Sequence, residues 1–363
     1  MALRWLAKRP WGSLVWCLVG FILCQAGLAL ALEQRLQQIR DPEYADKLKR
    51  LQRCRGQAPG RPLVMMLGSS RTFEGFEAAR LSARAQPSPM LAFNFGLTGG
   101  CSLLELVCLK RLLAAGIRPD LLLVEVLPAA LNQLDDRPLE ELWLDGMRLR
   151  ATEMRLLNSY HTDPMGLLEQ WGESRCLPCS FHAAELQQHL GLDVHRPLPD
   201  HEGDEVDAYG WRCGFPNGVT AESRRQQTAL SQRQYRKTFG EFHLADGPAR
   251  ALHDLLDRCR REHIATALVL MPEGTDFRSW YTPAMRVGLD TFLQNLSQQC
   301  QVPLIDARTW VQDDGFRDAH HLIPSGAHVF TDRLLREFIA SHQCERGWTP
   351  PSPLAPLRLQ RSH

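Results

Sequence analysis

Hydrophobic and polar positions divide this chain into three kinds of stretch. Short unbroken apolar runs recur at Leu63–Leu67, Leu91–Phe95, 121–126, Ala265–Met271 and 302–305. Runs of this length that break into small or polar residues predict strands buried on both faces, as in a parallel sheet. Between them, helical periodicity appears at Ser102–Ala114, closed by Gly116, at Pro248–His263, near 284–299 and around 325–341. Strand, helix and strand in succession are what right-handed parallel units require, so the pattern predicts an α/β fold with five parallel strands and covering helices. The rhythm fails between about 131 and 244, a segment that holds Trp143, Trp171, Trp211 and the acidic run 200–207. The acidic run predicts a solvated loop, and the whole segment predicts an insertion framing the functional edge of the sheet.

The third kind of stretch is the apolar run Trp11–Leu32, preceded by Arg4, Lys8 and Arg9. About 20 apolar residues cross a hydrocarbon core, so residues 11–32 predict a transmembrane anchor, with the basic flank 1–10 cytoplasmic and the rest on the extracytoplasmic side. Ala29-x-Ala31 also offers a cleavage site, so a removed signal peptide and a buried core helix are the competing readings. Residues 33–60 alternate at helical spacing and predict a stalk closed by Pro59-Gly60. Residues 61–345 then form one domain, and the Pro-rich end 346–363 predicts a disordered tail.

Composition adds exclusions. With 363 residues, 44% hydrophobic content and a formal net charge of +1, nothing biases the chain toward nucleic acid. Among the 11 cysteines, Cys17 and Cys24 fall in the anchor, and Cys108 and Cys259 on helix faces predict core positions. Cys176-Leu-Pro-Cys179, with His182 and Cys213 nearby, has the spacing of half a zinc site. No second pair matches it, so a disulfide or unpaired structural thiols are expected there, with no metal and no cofactor.

The chemistry lies in three loops that follow apolar runs: Gly68-Ser69-Ser70-Arg71, the turn Gly96–Gly100, and Asp318-Ala-His320-His321. Loops at the carboxyl ends of parallel strands converge on one crevice, although a Gly-Ser-Ser turn alone is equally an ordinary strand-to-helix loop. A serine hydroxyl becomes nucleophilic when an imidazole takes its proton and a carboxylate orients that imidazole. Ser70, His321 and Asp318 are the candidates, with His320 as a rival whose ordinary role is a surface or supporting histidine. Backbone N–H groups of Ser70 and Gly99 would meet a developing oxyanion. Asn94 is either a third donor or a turn-forming Asx residue. After the fourth run, Glu273, Arg278 and Tyr281 are candidates for substrate contact or for a loop salt bridge. Arg71 either attracts an anionic polymer or pairs with a local acid.

Taken together these blocks resemble the SGNH (GDSL-type) hydrolases. Gly68-Ser69-Ser70 matches the nucleophile block, Asn94 and Gly99 the second block, and Asp318, His321 and Gly326 the last. The form of the first block is closer to the membrane-anchored branch, which includes the D-alanyl transfer protein of teichoic acid assembly and the alginate O-acetylation proteins. The chain departs at the third block, where Leu127-Pro128-Ala129-Ala130 replaces the expected Gly-x-Asn-Asp and its side-chain oxyanion donor. The resemblance implies a three-layer α/β/α domain with a five-stranded parallel, flavodoxin-like sheet, preceded by one transmembrane helix. It also implies a membrane-anchored serine esterase or O-acyltransferase that acts on an ester-linked acyl group of a cell-surface glycan or glycolipid, with a membrane-bound O-acyltransferase as a partner. The lost third-block asparagine supports a different class, a non-catalytic glycan-binding or accessory module for such an acyltransferase.

Overall fold

Leu63–Gly68 (β1) forms the centre of the architecture because every residue in it is buried. The computed structural model describes residues 9–85, 89–134, 137–192, 206–215, 218–239 and 242–340. The flank at Arg4 and Lys8, most of the acidic run and the Pro-rich tail lie outside the described residues. Leu91–Gly96 (β2), Leu121–Glu125 (β3), Ala265–Leu270 (β4) and Leu304–Asp306 (β5) complete a five-stranded, all-parallel sheet of order β2-β1-β3-β4-β5. Register pairs Leu67 with Phe95 and Val124, and Val269 with Ile305.

Burial on both faces explains why the strands are mostly apolar, with Asn94, Glu125, Thr266 and Asp306 as the polar positions. Val64, Met66, Leu121, Leu123 and Val269 enter one core cluster with Phe76, Leu81, Phe330 and Leu334. Met65, Leu67, Leu122 and Val124, which point the other way, are equally buried. Each such side chain contributes about 1.5–3 kcal/mol on burial. Helix bounds follow the periodicity closely at Ser102–Ala114, Asp246–Arg261 and Pro283–Cys300, whereas the last α-helix, Pro324–Leu334, stops short of the expected end near 341 and passes into a π-helical turn, Leu335–Ile339. Gly116 closes the first of these at φ 71°, the left-handed conformation that glycine adopts without penalty.

The chain passes from β1 outward to β2 and returns to β3 on the opposite side, so strand order reverses beside β1 and opens a crevice at the carboxyl edge. Ser70 follows β1 and Glu125 ends β3, both at that reversal. The last loop returns from the far edge: Glu273 N donates to Arg308 O (3.0 Å) and Gly274 N to Ala319 O (2.8 Å). The helix Pro324–Leu334 then packs on the helices Ser70–Gly75 and Ala78–Arg84, where Thr331 Oγ1 accepts from Glu77 N at 3.1 Å.

Two compact units divide the chain, residues 1–46 with 145–197 and residues 47–144 with 198–363. The sequence divisions at 32/33 and 60/61 differ from this boundary, which falls inside the helix Pro42–Gln57. The expected insertion is itself split: residues 145–197 group with the N-terminal unit, and helices occupy much of the described part, 145–192, while the remainder groups with the sheet. The first unit begins with the helix Arg9–Gln34, of which Trp11–Gln34 is long and apolar enough to span a membrane. Cys176 ends one helix of that unit and Cys179 lies in the next, both as exposed thiols.

Candidate active site

Ser70 occupies the first position of a short helix that starts as soon as β1 ends. Ser69 caps it by accepting from Arg71 N at 3.1 Å, an interaction of about 1 kcal/mol at such positions. Glu125 holds the turn from below: its carboxylate accepts Ser69 N (2.8 Å), Ser69 Oγ (2.9 Å), Thr72 N (3.3 Å) and Thr72 Oγ1 (2.6 Å). The two serines are thereby distinguished. Ser69 is buried with its hydroxyl bound inward, whereas Ser70 is half-buried and reaches the crevice.

Ser70 Oγ lies 2.8 Å from His321 Nε2, and His321 Nδ1 lies 2.8 Å from Asp318 Oδ2. The other carboxylate oxygen of Asp318 accepts His321 N at 2.8 Å. Burial alone would raise the Asp318 pKa, but His320, His321 and Arg317 outweigh it and hold the carboxyl well below its ordinary range. An anionic Asp318 accepts from Nδ1–H, which leaves Nε2 of a neutral ring to accept from the Ser70 hydroxyl. The turn is tight: Arg317 N donates to His321 O (3.0 Å), Phe316 and Leu322 form an antiparallel bridge, and Ala319 sits at φ 73°.

His320 lies inward rather than at the surface. It is buried, stacked on Phe277 with centroids 5.0 Å apart and edge-on to Tyr235 at 5.3 Å. Burial, followed by His321 and Arg71 against the opposing Asp318, pushes its pKa well below the ordinary imidazole value. Asp318, His320 and His321 have potential ligand atoms within 4.8 Å of one another. His321 already uses both ring nitrogens, so a metal there would displace either the serine or the aspartate contact.

The loop after β2 lies against the serine turn, with Leu97 N donating to Gly68 O and Gly100 N to Leu97 O, each at 2.9 Å. Gly99 adopts φ 69°, a left-handed conformation that favours glycine, and a Cβ on it would make a tight contact at 3.2 Å with Trp143 Cβ. The N–H of Ser70, at the first helical turn, has no intrahelical acceptor. Asn94 is fully buried and engaged elsewhere: its amide nitrogen donates to the carbonyls of Thr72 (2.7 Å), Phe73 (3.2 Å) and Phe76 (2.7 Å), and its oxygen accepts Gly96 N at 2.9 Å. These bonds fix the strand end to the serine helix.

Three of the other candidate residues, Arg71, Glu273 and Tyr281, form a sealed cluster with Glu125. Arg71 is buried and donates to the carbonyls of Met271 (3.1 Å) and Pro272 (3.0 Å), with Glu273 Oε1 at 3.5 Å and Glu125 Oε1 at 3.9 Å. Burial alone would weaken its charge, but Glu273 and Glu125 outweigh that and raise its pKa. Tyr281 donates to Glu273 Oε1 at 2.8 Å, and burial raises the pKa of both side chains. Arg278 ties its own loop together by donating to the carbonyls of Glu273 and Arg308. In this structure Arg71, Glu273 and Tyr281 face one another, and Arg278 binds the backbone and Thr275 Oγ1.

Glu125, Glu74 and Arg317 are contributors that the sequence pattern did not single out. Glu74 is buried against Arg212 (2.6 Å) and Arg317 (3.0 Å), and Arg317 Nη1 lies 3.7 Å from Asp318 Oδ2. Glu125 had one visible signal, a lone carboxylate ending an otherwise apolar strand. The chain matches no family model and no curated protein.

Proposed function

We propose that the chain is a membrane-anchored serine esterase or O-acyltransferase of the SGNH type that acts on an ester-linked acyl group of a cell-surface glycan or glycolipid. The observation that carries this reading is the continuous Ser70–His321–Asp318 line, with both hydrogen-bond distances at 2.8 Å. Its chemistry would run in two halves. His321 Nε2 takes the Ser70 proton as Oγ attacks the ester carbon, and the backbone N–H groups of Ser70 and Gly99 receive the oxyanion. His321 then protonates the departing alcohol oxygen and leaves an acyl-serine. In the second half a water or glycan hydroxyl attacks the acyl carbon, His321 accepts its proton, and that proton returns to Ser70. A doubly wound, flavodoxin-like order of five strands supports the fold part of the reading, and the N-terminal apolar helix supports the anchor.

One observation favours a second reading, a non-catalytic glycan-binding or accessory module for a membrane O-acyltransferase. The third-block asparagine is replaced and the Asn94 amide is committed to three carbonyls, so neither position supplies a side-chain oxyanion donor. Loss of one such donor typically costs about 10²–10³ in rate, which slows an enzyme without abolishing it. Turnover of chromogenic acyl esters by the full-length protein, with and without an acceptor glycan, tests the choice. Ester cleavage that disappears in Ser70→Ala supports the enzyme. Glycan binding with no turnover in the parent protein replaces it with the module.

A further inference from the structure

Besides the Ser70–His321 contact, a second polar link joins the helix that carries the nucleophile to the loop that carries the base. Ser70 and Glu74 lie one turn apart on the helix Ser70–Gly75, and Arg317 directly precedes Asp318. Glu74 Oε2 accepts Arg317 Nε at 3.0 Å and Glu74 Oε1 accepts Arg317 Nη2 at 3.2 Å, a two-pronged pairing that fixes the guanidinium in orientation as well as in place. The third nitrogen, Nη1, donates to Gln227 Oε1 at 3.3 Å and lies 3.7 Å from Asp318 Oδ2, beyond a hydrogen bond but within reach of its charge. That oxygen is the one that faces His321 Nδ1. The line therefore closes on itself, from Ser70 through His321, Asp318, Arg317 and Glu74 back to the serine helix.

Burial separates this link from a surface ion pair. Glu74 is 3% exposed, and burial alone would raise its pKa, but His321, Arg317 and Arg212 outweigh it and lower it, so the group stands beside the site as an anion. Arg212 completes the clamp: its Nη2 donates to Glu74 Oε1 at 2.6 Å, its backbone N donates to Phe73 O at 3.0 Å, and its guanidinium lies over the Phe73 ring at 4.6 Å. Phe215 meets the Arg317 guanidinium in the same way at 5.3 Å. A buried ion pair is often no more stabilising than apolar side chains of the same volume, so its use here answers the geometry of the Ser70–His321–Asp318 line better than the stability of the fold.

We propose that Glu74 is a positioning residue for acyl transfer, which through Arg317 fixes where Asp318 and His321 stand against Ser70. The proposal rests on the serine-enzyme reading, and a double-mutant cycle separates the two claims. Full-length parent, Glu74→Gln, Asp318→Asn and the double variant are compared for kcat and KM on 4-nitrophenyl acetate, with urea unfolding of each so that rates refer to folded protein. A misplacement of about 1 Å costs about 10²-fold, so Glu74→Gln should lower kcat by about 10- to 100-fold and leave KM within about twofold. In the Asp318→Asn background the same change should cost less than about threefold, because the carboxylate through which it acts is already lost. An equal loss in both backgrounds, or an unchanged kcat in folded Glu74→Gln, assigns Glu74 to fold stability alone and overturns the proposal while the enzyme reading stands. If Glu74→Gln does not fold, Arg317→Met, at a side chain 15% exposed, takes its place in the cycle with the same expected outcomes. A folded parent protein that turns over no ester overturns the positioning role together with the enzyme reading.

Discussion

Ser70 and Arg71 are adjacent in the chain and belong to two different polar assemblies. Ser70 joins an open line with His321 and Asp318, in which the serine and the imidazole are partly accessible. Arg71 joins a sealed cluster with Glu273, Tyr281 and Glu125, where opposite charges face one another and Nη2 donates to two carbonyls, while its buried Nε and Nη1 make no hydrogen bond among the described residues. The difference teaches that polar residues at the edge of a sheet divide by access. A nucleophile must reach solvent and substrate, whereas a buried arginine can fasten the loop after β4 to the turn after β1. Changes in the open line should therefore alter chemistry at constant stability, and changes in the sealed cluster should alter stability first.

The largest effect is expected in the open line. Ser70→Ala and His321→Ala should each reduce acyl transfer by about 10⁴-fold or more, and the double variant should be no worse because the groups act as a unit. Asp318→Asn should cost about 10²–10⁴-fold through loss of the imidazole's orientation. Steady-state ester kinetics check these losses, and urea unfolding checks that the Ser70 variant stays within about 0.5 kcal/mol of the parent.

Arg71→Met should show the opposite signature. It leaves Glu273 and Glu125 buried without their cation, a loss of about 3–5 kcal/mol in unfolding free energy. If it unfolds like the parent and loses only turnover, Arg71 belongs with the open line and the division proposed here fails.

Ser69→Ala sharpens the comparison between the two serines. It removes the helix cap and one donor to Glu125, for about 1–3 kcal/mol, while leaving turnover within tenfold once folded protein is compared.

A separate expectation concerns pH. Burial pushes Glu140 up to about 8, against the main-chain donors of Leu103 and Leu104. Because the folded state holds this proton more tightly, stability declines as pH rises from the unfolded carboxyl range through about 8. Glu140→Gln should flatten the part of that decline between about pH 5 and 8 in thermal unfolding, leaving the contribution of Glu105, which burial also raises.

The strands were legible because a sheet covered on both faces writes itself as unbroken apolar runs, and β1 and β2 extend the expected bounds by only a glycine each. Ser70, Asp318 and His321 were visible as loop residues after such runs, and the structure brings them within hydrogen-bond distance. Direction was not legible. Nothing in the spacing of Glu273, Arg278 and Tyr281 says whether a loop side chain faces the crevice or its own backbone, since tertiary packing decides that. Asn94 carried both readings in sequence because an amide can serve a turn or a ligand equally. Glu125 lay hidden because its four donors come from residues 56 and 53 positions earlier. The grouping of residues 145–197 with the N-terminal helix had no periodic signature either, since their helices are short and mixed in polarity.

Ser70, and not Ser69, is the proposed nucleophile. The direct measurement is labelling of full-length protein by a fluorophosphonate, with the modified residue located by peptide mapping in the parent and in Ser69→Ala, Ser70→Ala and His321→Ala. One adduct on Ser70 is predicted, retained in Ser69→Ala, absent in Ser70→Ala and strongly slowed in His321→Ala. An adduct on Ser69, or a folded parent protein that takes no label while binding glycan, would contradict the account.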